Sequence, residues 1–209
     1  LGIKTQSEET ILGVFAKFMR VVFLDRDGVI NKFPGHGNYV TKVKDFHFLP
    51  GALEALRLLT EMGYSVFIVS NQAGVARGVY SYRKLKQITD YMLRHVRKAG
   101  GRIKEAMYCI HRADENCDCR KPKIGSIRKA FQSMNKPMRH AKKTFFVGDV
   151  QSDILAGHNA GCTTIFVLSG LEDRRSLRRW SVQPDYIARD LLDAVKVITR
   201  LNSNHSKNR

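Results

Sequence analysis

The chain is short of acid, short of long apolar runs and short of cysteine, and each shortage narrows what it can be. Only 19 Asp and Glu stand against 36 Lys and Arg, a formal net charge of +17 over 209 residues. A field of that sign attracts anions: phosphorylated metabolites, nucleic acid or acidic lipid. No apolar run approaches the length that crosses a bilayer, which argues against a membrane span and a membrane partner. The N-terminus lacks a basic segment followed by an apolar stretch and a small-residue cleavage site, so a cytoplasmic protein is expected. Nowhere do basic residues interleave with aromatics as they do on a platform for stacking single strands. The runs Arg83-Lys84, Lys86, Arg94, Arg97-Lys98 and Arg174-Arg175, Arg178-Arg179 therefore read as solvated faces before they read as nucleic-acid contacts. The charge fits an anionic substrate without naming one.

Cysteines number four, and Cys109, Cys117 and Cys119 fall within eleven residues. Cys162 stands apart beside an apolar strand and reads as a buried free thiol. Three plus one, with no secretion signal, points to metal and away from disulfides.

A chain of 209 residues holds one well-buried core and is short for two. No internal repeat is visible. Short apolar runs rich in branched residues alternate with segments of helical period. The strands expected are 20–25, 64–70, 103–109, 144–148, 163–168 and, more weakly, 185–188. Helices fit 51–62, 82–99 behind the N-cap Ser81, 124–135, 152–160 closed by Gly161, and 190–201. Strand and helix in alternation predict an α/β fold: a three-layer, Rossmann-like parallel sheet with helices on both faces. Residues 19–201 form that single domain. Residues 1–18 precede Met19; they are either an extension outside the native protein or, through Ile11, Leu12, Phe15 and Phe18, a short amphipathic helix docked on the core. Residues 26–48 are expected to form a mobile flap, and the polar residues 202–209 a disordered basic tail. A monomer is expected.

Open parallel sheets bind ligands at the carboxyl ends of their strands. Strand one runs out of Val21-Val22-Phe23-Leu24 into Asp25-Arg26-Asp27-Gly28. Strand two ends in Ser70-Asn71-Gln72, followed by a glycine-bearing turn from Ala73 to Gly78. Strand four ends in Gly148-Asp149, with Asp153 at the start of the next helix, and Arg120-Lys121-Pro122 lies between. Each has a plain structural reading as cap or turn, but four coinciding at successive strand ends make chemical sense together.

Phosphate hydrolysis asks for that set. A carboxylate nucleophile, Asp25, divides the displacement into two steps through an aspartyl phosphate. Asp27 protonates the leaving oxygen and later takes a proton from water. Carboxylates repel an anionic ester, so a hard cation is needed, and Mg²⁺ prefers oxygen ligands. Asp25, the backbone carbonyl of Asp27, and Asp149 are its expected ligands. Ser70 and Lys121 would stabilise the phosphoryl oxygens.

Cys109-Ile110-His111, five residues, then Cys117-Asp118-Cys119 gives three thiolates and one imidazole. That set suits a tetrahedral Zn²⁺ with no open position, a structural site. The loop 109–119 leads directly into Arg120 and Lys121, so it is expected to hold the lysine and shape the pocket. No helix with base-reading spacing follows it, which argues against a nucleic-acid-reading finger.

In order and type these segments resemble the four motifs of the haloacid dehalogenase-like phosphatase superfamily, across residues 19–200. Few residues separate the first two motifs, so the resemblance implies a member without a large cap domain, with specificity carried by loops. The zinc loop and Phe23-Leu24-Asp25-Arg26-Asp27-Gly28-Val29-Ile30-Asn31 are similar to the D,D-heptose 1,7-bisphosphate phosphatases and to their relatives, the histidinol-phosphate phosphatases. Gly37-Asn38-Tyr39-Val40, Phe46 to Gly51 and Ser70 to Gly78 favour the heptose enzymes; the five-residue metal spacer is closer to the histidinol-phosphate ones. The resemblance implies Mg²⁺-dependent removal of the 7-phosphate of D-glycero-D-manno-heptose 1,7-bisphosphate, in supply of surface polysaccharide. It assigns substrate contacts to Arg26, His36, Gly37, Ser70, Asn71, Gln72, Ala73, Arg120 and Lys121. The alternatives are histidinol-phosphate hydrolysis, a nucleic-acid 3′-phosphatase suggested by the charge, and a non-catalytic zinc-stabilised binding module.

Overall fold

Val21, Val22, Phe23 and Leu24 are all fully buried, and the strand they form, β1 (Val21–Leu24), has a parallel neighbour on each side. The computed structural model describes residues 20–207, so both readings of residues 1–18 lie outside the described part. Around β1 stand β2 (Ser65–Asn71), β3 (Ile103–Cys109), β4 (Thr144–Gly148), β5 (Thr163–Val167) and β6 (Tyr186–Ala188). Their order is β3-β2-β1-β4-β5-β6, and every pairing is parallel. The order reverses between β1 and β4, which is where an open α/β sheet forms its ligand crevice.

The helices are α1 (Ala52–Glu61), α2 (Tyr82–Lys98), α3 (Gly125–Ser133), α4 (Gln151–Ala160) and α5 (Leu191–Lys207). The central strands read as unbroken apolar runs because both faces are covered. Val22, Leu24, Val66, Ile68, Phe145 and Val147 pack under α1, α2 and α5. Val21, Phe23, Phe67, Val69 and Phe146 pack under α3 and α4. Phe23 sits amid Phe67, Phe131 and Phe146, with ring centroids 5.8 to 6.1 Å away. Ser81 caps α2 by accepting from Lys84 N at 3.3 Å. Gly161, with φ of 81°, ends α4 in the left-handed conformation that glycine adopts without penalty.

One expectation changes. The segment taken as a disordered tail is helical through Lys207, so α5 extends past residue 201. Asn202 Nδ2 donates to the Tyr64 hydroxyl, which anchors the extension. The two ends of the flap are joined by backbone hydrogen bonds. Lys32 N donates to His47 O at 2.8 Å and Leu49 N to Ile30 O at 2.9 Å, while Val40 and Phe46 are buried in the core.

Candidate active site

β1, β2 and β4 all deliver polar side chains to one cleft of about 170 Å³, lined by Asp25, Asp27, Ser70, Asn71, Lys121, Asp149 and Asp153 on its floor. The flap supplies Phe33, Pro34, Asn38 and Tyr39 as its wall. The strand-end residues expected from the sequence are thus brought together.

Lys121 is the hub. Its Nζ donates to Asp25 Oδ1 at 2.7 Å and to Val69 O at 2.7 Å, and it lies 2.6 Å from Asp153 Oδ1. Burial opposes its charge, but Asp153 and Asp25 outweigh burial and the pKa is raised. The lysine is therefore a fixed cation. It is delivered by a clamp across the sheet edge: Lys121 N donates to Asn71 Oδ1 at 3.1 Å and Asn71 Nδ2 donates to Lys121 O at 3.2 Å.

Asp25, Asp149 and Asp153 are buried and bring carboxylate oxygens within 4.8 Å of one another. Three carboxylates against one ammonium leave the cluster two charges negative when ionised. Burial, Asp153 and Asp25 push the Asp149 pKa well above the usual carboxylate range. Burial also raises Asp153, against the opposing pull of Lys121, to about 6. A divalent, oxygen-seeking cation is the charge complement of this cluster. The other oxygen of Asp153 accepts from Asp149 N at 3.1 Å and Val150 N at 3.3 Å. Asp153 thus fixes both the lysine and the start of the β4–α4 turn.

The Asp149 carboxylate is fitted closely. Its Oδ2 accepts from Leu171 N at 2.7 Å, and a Cβ on either Gly28 or Gly170 would collide with it. Gly28 also has φ of +86°, a conformation L side chains rarely adopt. Neither Gly170, Leu171 nor Asp153 was among the expected site residues. The spacing Asp149-x-x-x-Asp153 at a helix start was visible, whereas a Ser-Gly pair after β5 carries no distinctive signal.

Asp27 is held by donors on every side. Arg26 reaches it through Nε (3.2 Å) and Nη2 (3.0 and 2.8 Å), Asn31 Nδ2 at 2.8 Å and Gln72 Nε2 at 2.8 Å. Arg26, expected to meet substrate, is instead 0% exposed, with its guanidinium 5.7 Å from the Tyr108 ring centroid. Asp27 holds the Arg26 pKa up despite the opposing cost of burial. Gln72 and Ala73 are buried too, and neither borders the cleft. His36 and Gly37 are exposed and do not border it either. Arg120 turns to the metal loop, where Nη1 donates to His111 O at 3.4 Å.

Cys109, His111, Cys117 and Cys119 converge. The thiols of Cys109 and Cys119 each lie 3.5 Å from that of Cys117, and His111 Nδ1 lies 3.3 Å from Cys119 Sγ and 3.8 Å from Cys109 Sγ. A tetrahedron with metal–sulfur bonds of about 2.3 Å has edges of about 3.8 Å, slightly less toward nitrogen. The separations match, and with all four positions filled by protein the geometry is that of a structural zinc site. Ser126 Oγ donates to Cys119 O at 3.1 Å, which joins this loop to α3.

A six-stranded parallel sheet of this order, with an aspartate pair after β1, a lysine reaching across and an acidic turn after β4, defines a haloacid dehalogenase-like hydrolase. A family model described as HAD-hydrolase-like matches residues 118–194. The D-glycero-beta-D-manno-heptose-1,7-bisphosphate 7-phosphatase of Pasteurella multocida is 34% identical over 191 residues, spanning 88% of this chain and 99% of that protein. The D-glycero-alpha-D-manno-heptose-1,7-bisphosphate 7-phosphatase of Campylobacter jejuni is 39% identical over 150 residues, spanning 72% of this chain and 83% of that protein. The crystal structure of D,D-heptose 1,7-bisphosphate phosphatase from B. bronchiseptica, complexed with magnesium and phosphate, superposes with a TM-score of 0.80 at 30% identity, covering 87% of this chain and 99% of that one. The chain belongs to the D-glycero-D-manno-heptose-1,7-bisphosphate 7-phosphatase family. Among the described residues, no helix is long and apolar enough to cross a membrane.

Proposed function

We propose that the protein is a phosphomonoesterase that removes the 7-phosphate of D-glycero-D-manno-heptose 1,7-bisphosphate. The observation that carries the chemistry is the convergence of Asp25, Asp27, Ser70, Lys121 and Asp149 on one cleft. Similarity to heptose bisphosphatases along 99% of a relative's length supports the substrate. Asp25 would attack phosphorus, with Lys121 fixing its carboxylate. Asp27 gives its proton to the departing sugar oxygen. The ionised Asp27 then takes a proton from the water that hydrolyses the aspartyl phosphate, which returns Asp25 as a carboxylate and releases inorganic phosphate. Ser70 and Lys121 donate to the phosphoryl oxygens throughout. Mg²⁺ held by the carboxylates of Asp25 and Asp149 and the carbonyl of Asp27, with Asp153 behind them, would neutralise charge on the phosphoryl group. Four cysteines without a disulfide among them fit a reducing, cytoplasmic compartment.

Phosphate release should be compared for the α and β anomers of the heptose bisphosphate and for histidinol phosphate under identical conditions. A clear preference for either heptose anomer is expected. Faster turnover of histidinol phosphate would overturn the substrate assignment.

A further inference from the structure

Gln72 and Tyr80 are buried and neither lines the cleft, yet together they end on Asp27. The Tyr80 hydroxyl donates to Gln72 Oε1 at 2.5 Å, and Gln72 Nε2 donates to Asp27 Oδ2 at 2.8 Å and to Ser70 Oγ at 3.2 Å. A primary amide has one accepting and one donating end. The carboxylate only accepts and so takes the Nε2 end, while the Tyr80 hydroxyl, able to donate, holds the Oε1 end and locks the amide in that orientation. Burial raises the Tyr80 pKa, which keeps the hydroxyl a donor. Tyr80 is itself braced: its ring centroid lies 5.9 Å from that of Tyr39 on the flap, and Gly74 lacks the Cβ that would strike both rings. Asn31 and Arg26 close the other side of the carboxylate.

We propose that Tyr80 and Gln72 are positioning residues for Asp27: the hydroxyl orients the amide, and the amide holds the carboxylate turned toward the leaving oxygen. The proposal rests on the reading of Asp27 as the proton donor. Its consequence depends on the leaving group. A sugar alkoxide departs only with a proton in place, whereas p-nitrophenolate is stable without one.

The test is single-turnover release of the leaving group from the heptose bisphosphate and from p-nitrophenyl phosphate, in the wild type, Tyr80→Phe, Gln72→Ala and Asp27→Asn. Gln72→Ala should slow release of the sugar about 100-fold and Tyr80→Phe about 10-fold, since misplacing a catalytic group by about 1 Å costs about 100-fold and a smaller displacement less. Release of p-nitrophenol should slow by no more than about 3-fold in either. The ratio between substrates is taken within one preparation, so a partly unfolded variant still answers. Equal slowing of both substrates in the Gln72 and Tyr80 variants, or none, would overturn the positioning role. If Asp27→Asn itself slows both equally, the reading of Asp27 as proton donor fails first and the proposal falls with it.

Discussion

Lys121 and Asp153 form a buried ion pair, Nζ to Oδ1 at 2.6 Å, with side chains 3% and 0% exposed. Lys121 also holds Asp25 at 2.7 Å, so one ammonium offsets two buried carboxylates beside the reacting centre. Removing one partner of such a pair typically costs about 3–5 kcal/mol, because the other charge is left uncompensated. Lys121→Ala is therefore expected to lose stability as well as activity, not activity alone as the sequence motif would suggest. Turnover should fall at least about 100-fold. Adding Mg²⁺ should recover much of the lost melting temperature and none of the turnover, since a cation replaces the charge but not the phosphoryl donor. Thermal unfolding with and without Mg²⁺, beside kcat, checks this. A chelated variant that melts with the wild type would refute it.

The carboxylate cluster also predicts how stability depends on pH without metal. Asp153 is raised to about 6 and Asp149 is raised as well, whereas unfolded aspartates titrate near about 4. Between those values the folded state binds more protons than the unfolded state, so stability falls as pH rises. In chelator, unfolding free energy should drop from about pH 4 to about pH 6, by on the order of 3 kcal/mol for Asp153. Saturating Mg²⁺ should flatten the slope, because the cation takes over from the protons. Denaturant titrations at several pH values, in EDTA and in Mg²⁺, measure both curves. A slope of opposite sign in EDTA would show that these carboxylates are not strained by their burial.

The sequence made the sheet legible because every strand in its middle is covered on both faces and so reads as an unbroken apolar run. The strand-end residues followed, since polar groups cluster where such runs stop. Side-chain direction was less accessible. Arg26 was assigned to substrate by its place in a motif. Strand alternation carried one step past Leu24 turns Asp25 and Asp27 one way and Arg26 the other, and burial of the guanidinium is its result. His36 and Gly37 share the flap with Phe33 and Tyr39, and only the folded loop reveals which of them overhang the cleft. The link from Tyr80 through Gln72 to Asp27 joins three turns of chain by side-chain bonds alone, which no periodicity records. The polar stretch after residue 201 lacked an apolar stripe, but a helix already anchored on the core extends at low cost.

Gly170 tests how closely Asp149 must be seated. A methyl group there would meet the Asp149 carboxylate, which Leu171 N holds from the next residue. Overpacking of this kind costs about 1–3 kcal/mol. The displaced carboxylate should matter more for activity: Gly170→Ala is expected to lower kcat about 100-fold and to raise the Mg²⁺ concentration needed for half-maximal rate. A variant with wild-type Mg²⁺ dependence would show that Asp149 does not depend on this contact.

The metal loop should be structural and independent of the catalytic cation. Cys117 and Cys119 sit at the end of the loop that runs directly into Arg120 and Lys121, and Ser126 ties Cys119 to α3. Without the metal the cluster cannot hold every thiol deprotonated: burial and the Cys109 and Cys117 thiols push Cys119 up to about 12. Replacing both ligands, Cys117→Ser with Cys119→Ser, should remove one equivalent of zinc per chain, as read by metal analysis. Because binding energy of a structural zinc is folding energy, the melting temperature should fall by about 10 °C or more. Mg²⁺ should not restore it, since a hard cation has little affinity for sulfur. Lys121 would then lose its scaffold on one side while keeping Asn71 on the other, so turnover should fall further than the unfolded fraction explains. Full stability and zinc-free activity in the double variant would show that the four ligands are held together by the fold and not by a metal.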